Sequence, residues 1–134
     1  MSRSLIQTAN TSPQTVAVGG TISLGNVLRR YGCNCRLNGS AVEIEGAGYY
    51  TISGTVTLAP TAAGNSTITL LDNGVPIPGA TATGGITTVG NSVTLPIETT
   101  VREGCACDGA SQITCVLTSG AATVSNVSLR VEKE

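Results

Sequence analysis

The sequence predicts an all-β chain folded as a β-sandwich or jelly roll of about eight to ten strands. Three observations carry this. From Tyr50 onward the apolar residues Tyr50, Ile52, Val56 and Leu58 take alternate positions, with Thr51, Ser53, Thr55 and Thr57 between them. A period of two sends successive side chains to opposite faces of a strand, one buried and one wet. The same beat returns at Val93, Leu95, Ile97 and Val101, at Ile113, Cys115 and Leu117, and at Val127, Leu129 and Val131. Turn signals separate these runs, and no segment has a helical period.

Taken in order, residues 1–13 are expected to form an N-terminal arm, polar apart from Leu5-Ile6 and stopped by Pro13. Residues 14–134 then form a single domain. Val16, Val18, Ile22 and Leu24, interrupted by Gly19-Gly20, read as a strand pair or a bulged strand. Residues 25–40, with Arg29, Arg30, Cys33, Cys35 and Arg36, read as a long loop. Ala41 to Glu45 is a short strand, Val42 and Ile44 inward and Glu43 and Glu45 outward; Gly46-Ala47-Gly48 turns it into the long strand 49–59. Pro60 to Asn65 is a loop, and residues 66–72 are a strand through Ile68 and Leu70. Asp72-Asn73-Gly74 signals a tight turn, because Asn-Gly supplies positive φ cheaply. Pro76 and Pro78 confine the next segment to a sheet edge or a loop, since proline cannot donate to a ladder. Residues 80–90, rich in Thr and Gly, fit a weak edge strand and a turn.

Composition excludes several functions. A chain of 134 residues is long enough for a core without metal or disulfide staples. Charged residues make up 11% and the net charge is −1, so no basic surface is available for nucleic acid or acidic lipid. The only aromatics are three tyrosines, too few for a stacking platform. Histidine is absent, which removes the commonest general base and the commonest zinc ligand. The N-terminus lacks the apolar core of a signal peptide, and no apolar run nears the roughly 18 residues of a membrane span. The expectation is cytoplasmic synthesis of a soluble chain, with any later place outside the cell reached by lysis or assembly.

Few residues point to chemistry. Glu43 and Glu45 share a strand face, but nothing completes an acid–base site around them, and a solvated outer face is the plainer reading. Asp72 beside Asn73-Gly74 falls short of a calcium loop and fits an ordinary turn. Arg29, Arg30 and Arg36 could grip a phosphate or a carboxylate; ion pairs with Glu103 or Asp108 are the simpler expectation. No serine has a histidine or lysine partner that would make it a nucleophile, and Lys133, the sole lysine, lies at a frayed end. Cys115 shares the face of Ile113 and Leu117 and reads as a small core residue.

The unusual feature is a twin Cys-x-Cys: Cys33-Asn34-Cys35 and Cys105-Ala106-Cys107. Three readings stand. Disulfides could bridge the two loops, since neighbouring cysteines one residue apart bridge each other poorly. Four thiolates could hold zinc, although structural sites use roughly two to four intervening residues, not one. All four could be free thiols. The expectation is that the two loops are neighbours and that a pair among Cys33, Cys35, Cys105 and Cys107 is bridged or shares a metal. A small-ligand- or metal-binding protein built on these loops is the alternative function.

The run Ala41-Val42-Glu43-Ile44-Glu45-Gly46-Ala47-Gly48-Tyr49-Tyr50-Thr51-Ile52-Ser53-Gly54 resembles the central signature of the tumour-necrosis-factor/complement-like jelly rolls. Leu71-Asp72-Asn73-Gly74-Val75-Pro76-Ile77-Pro78-Gly79 resembles the hairpin of their bacterial and phage branch, and Val124–Val131 its closing strand. The resemblance covers roughly residues 41–134. It implies a TNF-like jelly roll forming a tight homotrimer that binds rather than catalyses. Such domains serve as heads in Firmicutes phage particles or on spore and cell surfaces. The implied role is a non-enzymatic structural or receptor-binding head, phage- or prophage-encoded, with no catalytic residues and no cofactor. Its partners would be its own copies and other virion or cell-surface components. Two departures are visible: there is no collagen-like repeat, and the aromatics that fill many trimer axes are missing.

Overall fold

The structure, a computed structural model, describes residues 4–32, 35–103 and 111–133. Among these residues there are eleven strands and no helix. They are β1 (Leu5–Asn10), β2 (Gln14–Val16), β3 (Asn26–Tyr31), β4 (Cys35–Asn38), β5 (Ala41–Ile44), β6 (Gly48–Pro60), β7 (Gly64–Asp72), β8 (Val75–Ile86), β9 (Val93–Glu103), β10 (Ser111–Ser119) and β11 (Ala122–Lys133).

Two antiparallel sheets face each other. The first runs β3-β1-β11-β6-β9, with β2 also paired to β11; the second runs β4-β5-β10-β7-β8. From β5 onward the chain crosses repeatedly between the layers, and this crossing makes the sandwich a jelly roll. Each strand sends alternate side chains inward, as the period of two requires. Ile52, Val56 and Leu58 of β6 meet Ile68 and Leu70 of β7 and Ile113, Cys115 and Leu117 of β10 in one buried cluster. Each fully buried leucine or isoleucine there contributes about 1.5–3 kcal/mol by leaving water. The adjacent tyrosines show the alternation directly: Tyr50 is 0% exposed and Tyr49 55%.

Several expectations change. Residues 5–10 are not an arm: β1 sits inside the first sheet, paired to β11 on one side and β3 on the other. Its inward positions are Ile6 and Thr8, and the Thr8 hydroxyl satisfies its burial by donating to the Leu129 carbonyl. Residues 25–40 are not one loop but contain β3 and β4. Lys133 is not frayed: it pairs with Tyr50, and its amide donates to the Ser4 carbonyl at 2.9 Å. Residues 75–86 form a single long edge strand.

Other details follow the sequence. The β7–β8 turn places Asn73 at φ 52° and Gly74 at φ 83°, the left-handed pair that Asn-Gly favours. Asn73 also ties this turn to β10: its amide donates to the Gln112 carbonyl, and its Oδ1 accepts from the Gln112 amide, each at 2.9 Å. Segment 19–22 lies along the end of β10 that β5 leaves open. Ile22 donates to Cys115 O and Leu117 donates to Gly20 O.

Candidate functional site

The residues singled out for chemistry separate in space. Cys33, Cys105 and Cys107 lie outside the described residues, as does Asp108. Cys35 is described, and it is a buried free thiol inside β4 rather than a bridged loop residue. Burial pushes its thiol up to about 11, although Arg30 and Lys133 pull the other way. Its backbone is fixed as well, because Arg30 Nε donates to the Cys35 carbonyl at 2.7 Å. Cys35 pairs with Ile44, and Ile44 with Ser111, so these three residues cross adjacent strands in one row. Cys115 is 2% exposed, and desolvation raises its thiol to about 12. A thiol that high holds almost no thiolate near neutral pH and is a poor nucleophile or metal ligand. Among the described residues no three Cys, Asp or Glu side chains converge as a metal site.

The acidic pair Glu43 and Glu45 is also accounted for. Glu43 projects outward, as expected, but it is not solvated: it is 7% exposed. The register sets Arg36 opposite Glu43, and Arg36 Nε donates to Glu43 Oε2 at 2.8 Å. Asn38 Nδ2 donates to the other oxygen, Oε1. The Asn38 and Arg36 hydrogen bonds together hold the Glu43 carboxyl below its usual range. Arg36 also reaches Glu45 at 3.1 Å. The expected partners, the Glu103 side chain and Asp108, lie outside what the structure describes; Arg36 makes its ion pairs with Glu43 and Glu45. Sequence reading missed this because cross-strand register, not proximity in sequence, brings Arg36 onto Glu43.

What remains is a surface. The outer face of the first sheet carries a shallow hollow of about 360 Å³, lined by Gln7, Gly54, Pro96, Glu98 and Arg130 among others. Gly54 pairs with the buried Leu129 and Ile97, so its missing side chain faces the core rather than the hollow. A Cβ there would stand 2.5 Å from the Ser128 carbonyl oxygen and 2.9 Å from Leu129 Cδ1, so β6 and β11 close up only around a glycine. Arg130 is bound to Glu132 at 2.9 Å. Glu98 has no ion partner among the described residues. Beyond β1 lies the free edge of this sheet, β3, where Leu28 is 60% exposed and Val27 40%. Arg29 pairs in register with Gln7, so it shares the outer face with the hollow, and it too has no ion partner among the described residues.

No family model and no curated protein sequence matches the chain. Solved structures do. Murine APRIL at pH 5.0 aligns over 99% of this chain and 100% of its own, with a TM-score of 0.77 and 11% identity. The globular domain of zebrafish complement 1qA protein aligns over 96% and 94%, with a TM-score of 0.70 and 6% identity. The PRD1 vertex protein P5 aligns over 97% and 96%, with a TM-score of 0.62 and 10% identity. At these identities the likeness shows the fold, and the fold is the jelly roll shared by tumour-necrosis-factor-like and complement-1q-like domains.

Proposed function

We propose that the chain is a non-enzymatic head domain, structural or receptor-binding, that works as a homotrimer on the surface of a phage particle or a cell. The observation that carries this reading is the pairing of an exposed apolar edge with a hollow on the same sheet. Leu28 and Arg29 on β3 lie at one side of the first sheet, and the hollow with Glu98 lies toward the other. Two different patches on one subunit that complement each other make a heterologous contact, and such a contact closes into a ring when the rotation allows. Leu28 would bury its side chain against the neighbour's hollow. Arg29 of one copy would meet Glu98 of the next, each lacking a partner within the described part of its own chain. The likeness to a complement 1q globular domain and to a vertex protein supports a binding role for such a head. The buried free thiol of Cys35 counts against the alternative reading, a ligand or metal site on the cysteine loops.

Light scattering at micromolar concentration tests the assembly. A species of three times 13.4 kDa is expected for the native chain. Leu28→Glu should shift it to monomer, since it sets a charge in an apolar contact and opposes it to Glu98. A native chain that runs as a monomer, or a Leu28→Glu variant that stays trimeric, would overturn this reading.

A further inference from the structure

A second cleft, of about 520 Å³, opens at the seam of the sandwich, where edge strand β8 faces edge strand β9. Pro76, Ile77 and Pro78 form one wall and Val101 part of the other, with Asp72 and Arg102 also on its lining. Both charges stand without an ion pair among the described residues, as Arg29 and Glu98 do on the sheet face. Arg36, Glu43, Glu45, Arg130 and Glu132 are bound in ion pairs, whereas Asp72 and Arg102 have no ion partner among the described residues and do not reach each other. One carboxylate oxygen, Asp72 Oδ1, is buried with no hydrogen-bond partner. A buried acceptor without a donor is costly and rarely left so. The proline-rich wall supplies few donors, because prolines have no N–H.

We propose that this cleft binds a small zwitterion with an apolar stem: an amine and a carboxylate joined by a short hydrocarbon chain. The Asp72 carboxylate takes the ammonium. Rotation about its soft terminal torsion brings the buried oxygen round to the incoming donor. The planar Arg102 guanidinium takes the carboxylate through paired N–H donors. The Pro76–Ile77–Pro78 wall covers the methylenes between them, and the cleft has room for such a ligand. A simple cation would sit on a lining that also carries Arg102, and a simple anion on one that also carries Asp72. Only a ligand with both charges uses the pair.

The test is a residue-resolved NMR titration of the native protein with ε-aminocaproate, hexylamine and caproate in parallel. ε-Aminocaproate should shift the amides of Asn73, Ile77 and Thr100–Arg102 and saturate. Each half-probe should bind roughly threefold to fivefold more weakly, the factor one partly exposed ion contact supplies. Asp72→Asn should bind ε-aminocaproate no better than caproate, and Arg102→Gln no better than hexylamine. Both variants should keep the native oligomer by light scattering, which separates this site from the assembly contact. Equal binding of the three probes, shifts scattered away from the cleft, or variants that bind like the native chain would overturn the proposal. So would dissociation of the oligomer by Arg102→Gln, which would give Arg102 to the assembly.

Discussion

Tyr50→Phe is a one-atom test of how β5 is joined to β6. The Tyr50 ring is fully buried. Its hydroxyl lies 2.8 Å from the Glu45 carbonyl oxygen and 2.9 Å from that of Gly46, both acceptors of its single proton. These carbonyls belong to the turn that carries the chain from the second sheet to the first, so the hydroxyl replaces the backbone donors the turn lacks. Phenylalanine keeps the ring and the packing and deletes only this donor. Glu45 is exposed and Gly46 half-buried, so water can reach the released carbonyls; the loss is that of one net hydrogen bond, about 1 kcal/mol. Unfolding entropy of about 2.1 cal/mol/K per residue gives roughly 0.28 kcal/mol/K for a chain of 134 residues. The melting temperature should therefore fall by about 4 °C. Calorimetry at one fixed protein concentration is the assay, because assembly makes melting concentration-dependent. Tyr50→Leu, which also removes the ring, should cost more than Tyr50→Phe by a cavity contribution of about 2 kcal/mol or more. A Tyr50→Phe variant that melts within about 1 °C of the native chain would show that the hydroxyl does not hold the turn.

Two further outcomes follow from the thiols and from Glu43. Cys35 and Cys115, with thiols raised to about 11 and about 12, should resist a thiolate-specific alkylating reagent at pH 8 in the folded protein and react in urea; peptide mapping that finds either one labelled in the folded state would contradict their burial. The Glu43 carboxyl is depressed in the folded state relative to its ordinary value of 4.5. The unfolded chain therefore binds its proton first as pH falls, so its contribution is complete above about pH 4.5 and is lost as pH drops through the folded value. Melting temperatures measured from pH 6 down to pH 3 should fall less steeply in Glu43→Gln than in the native chain; parallel curves would refute the assignment.

Where the sequence was legible, a local signal and the fold agreed. The period of two in β6, the Asn73-Gly74 turn, the prolines that confine β8 to an edge and the core position of Cys115 all rest on neighbours within a few residues. Where it was not, a local signal was absent or misleading. β1 hides because one of its inward positions is Thr8, whose burial depends on a carbonyl 121 residues away. β4 alternates Cys35 and Leu37 with Arg36 and Asn38, but four residues rich in polar and thiol groups read as loop. Glu43 reads as a solvated acid until the β4–β5 register lays Arg36 and Asn38 over it. Asp72 and Arg102 stand 30 positions apart, and only the meeting of two sheet edges brings them to one cleft.

The low charge of the chain gives these exceptions their weight. The outer faces are kept polar largely by hydroxyls, and several of these are used up against one another. Thr57 and Thr94 are linked at 3.0 Å, Thr67 and Thr83 at 2.9 Å, and Thr69 and Thr81 at 3.3 Å, each pair spanning neighbouring strands. Such cross-strand pairs steady a sheet face by a fraction of a kcal/mol each and leave it neutral, so it neither repels its own copies nor attracts charged molecules at a distance. On this background, charge is informative where it is left unpaired. Arg29 and Glu98 stand on the outer face of the first sheet, and Asp72 and Arg102 line the seam cleft. Arg30 and Lys133 also make no ion pair among the described residues, but these four are the ones that stand on the sheet face and in the cleft. Their placement is explained if each meets its counter-charge on another molecule: a second copy at the sheet face, a zwitterion at the seam.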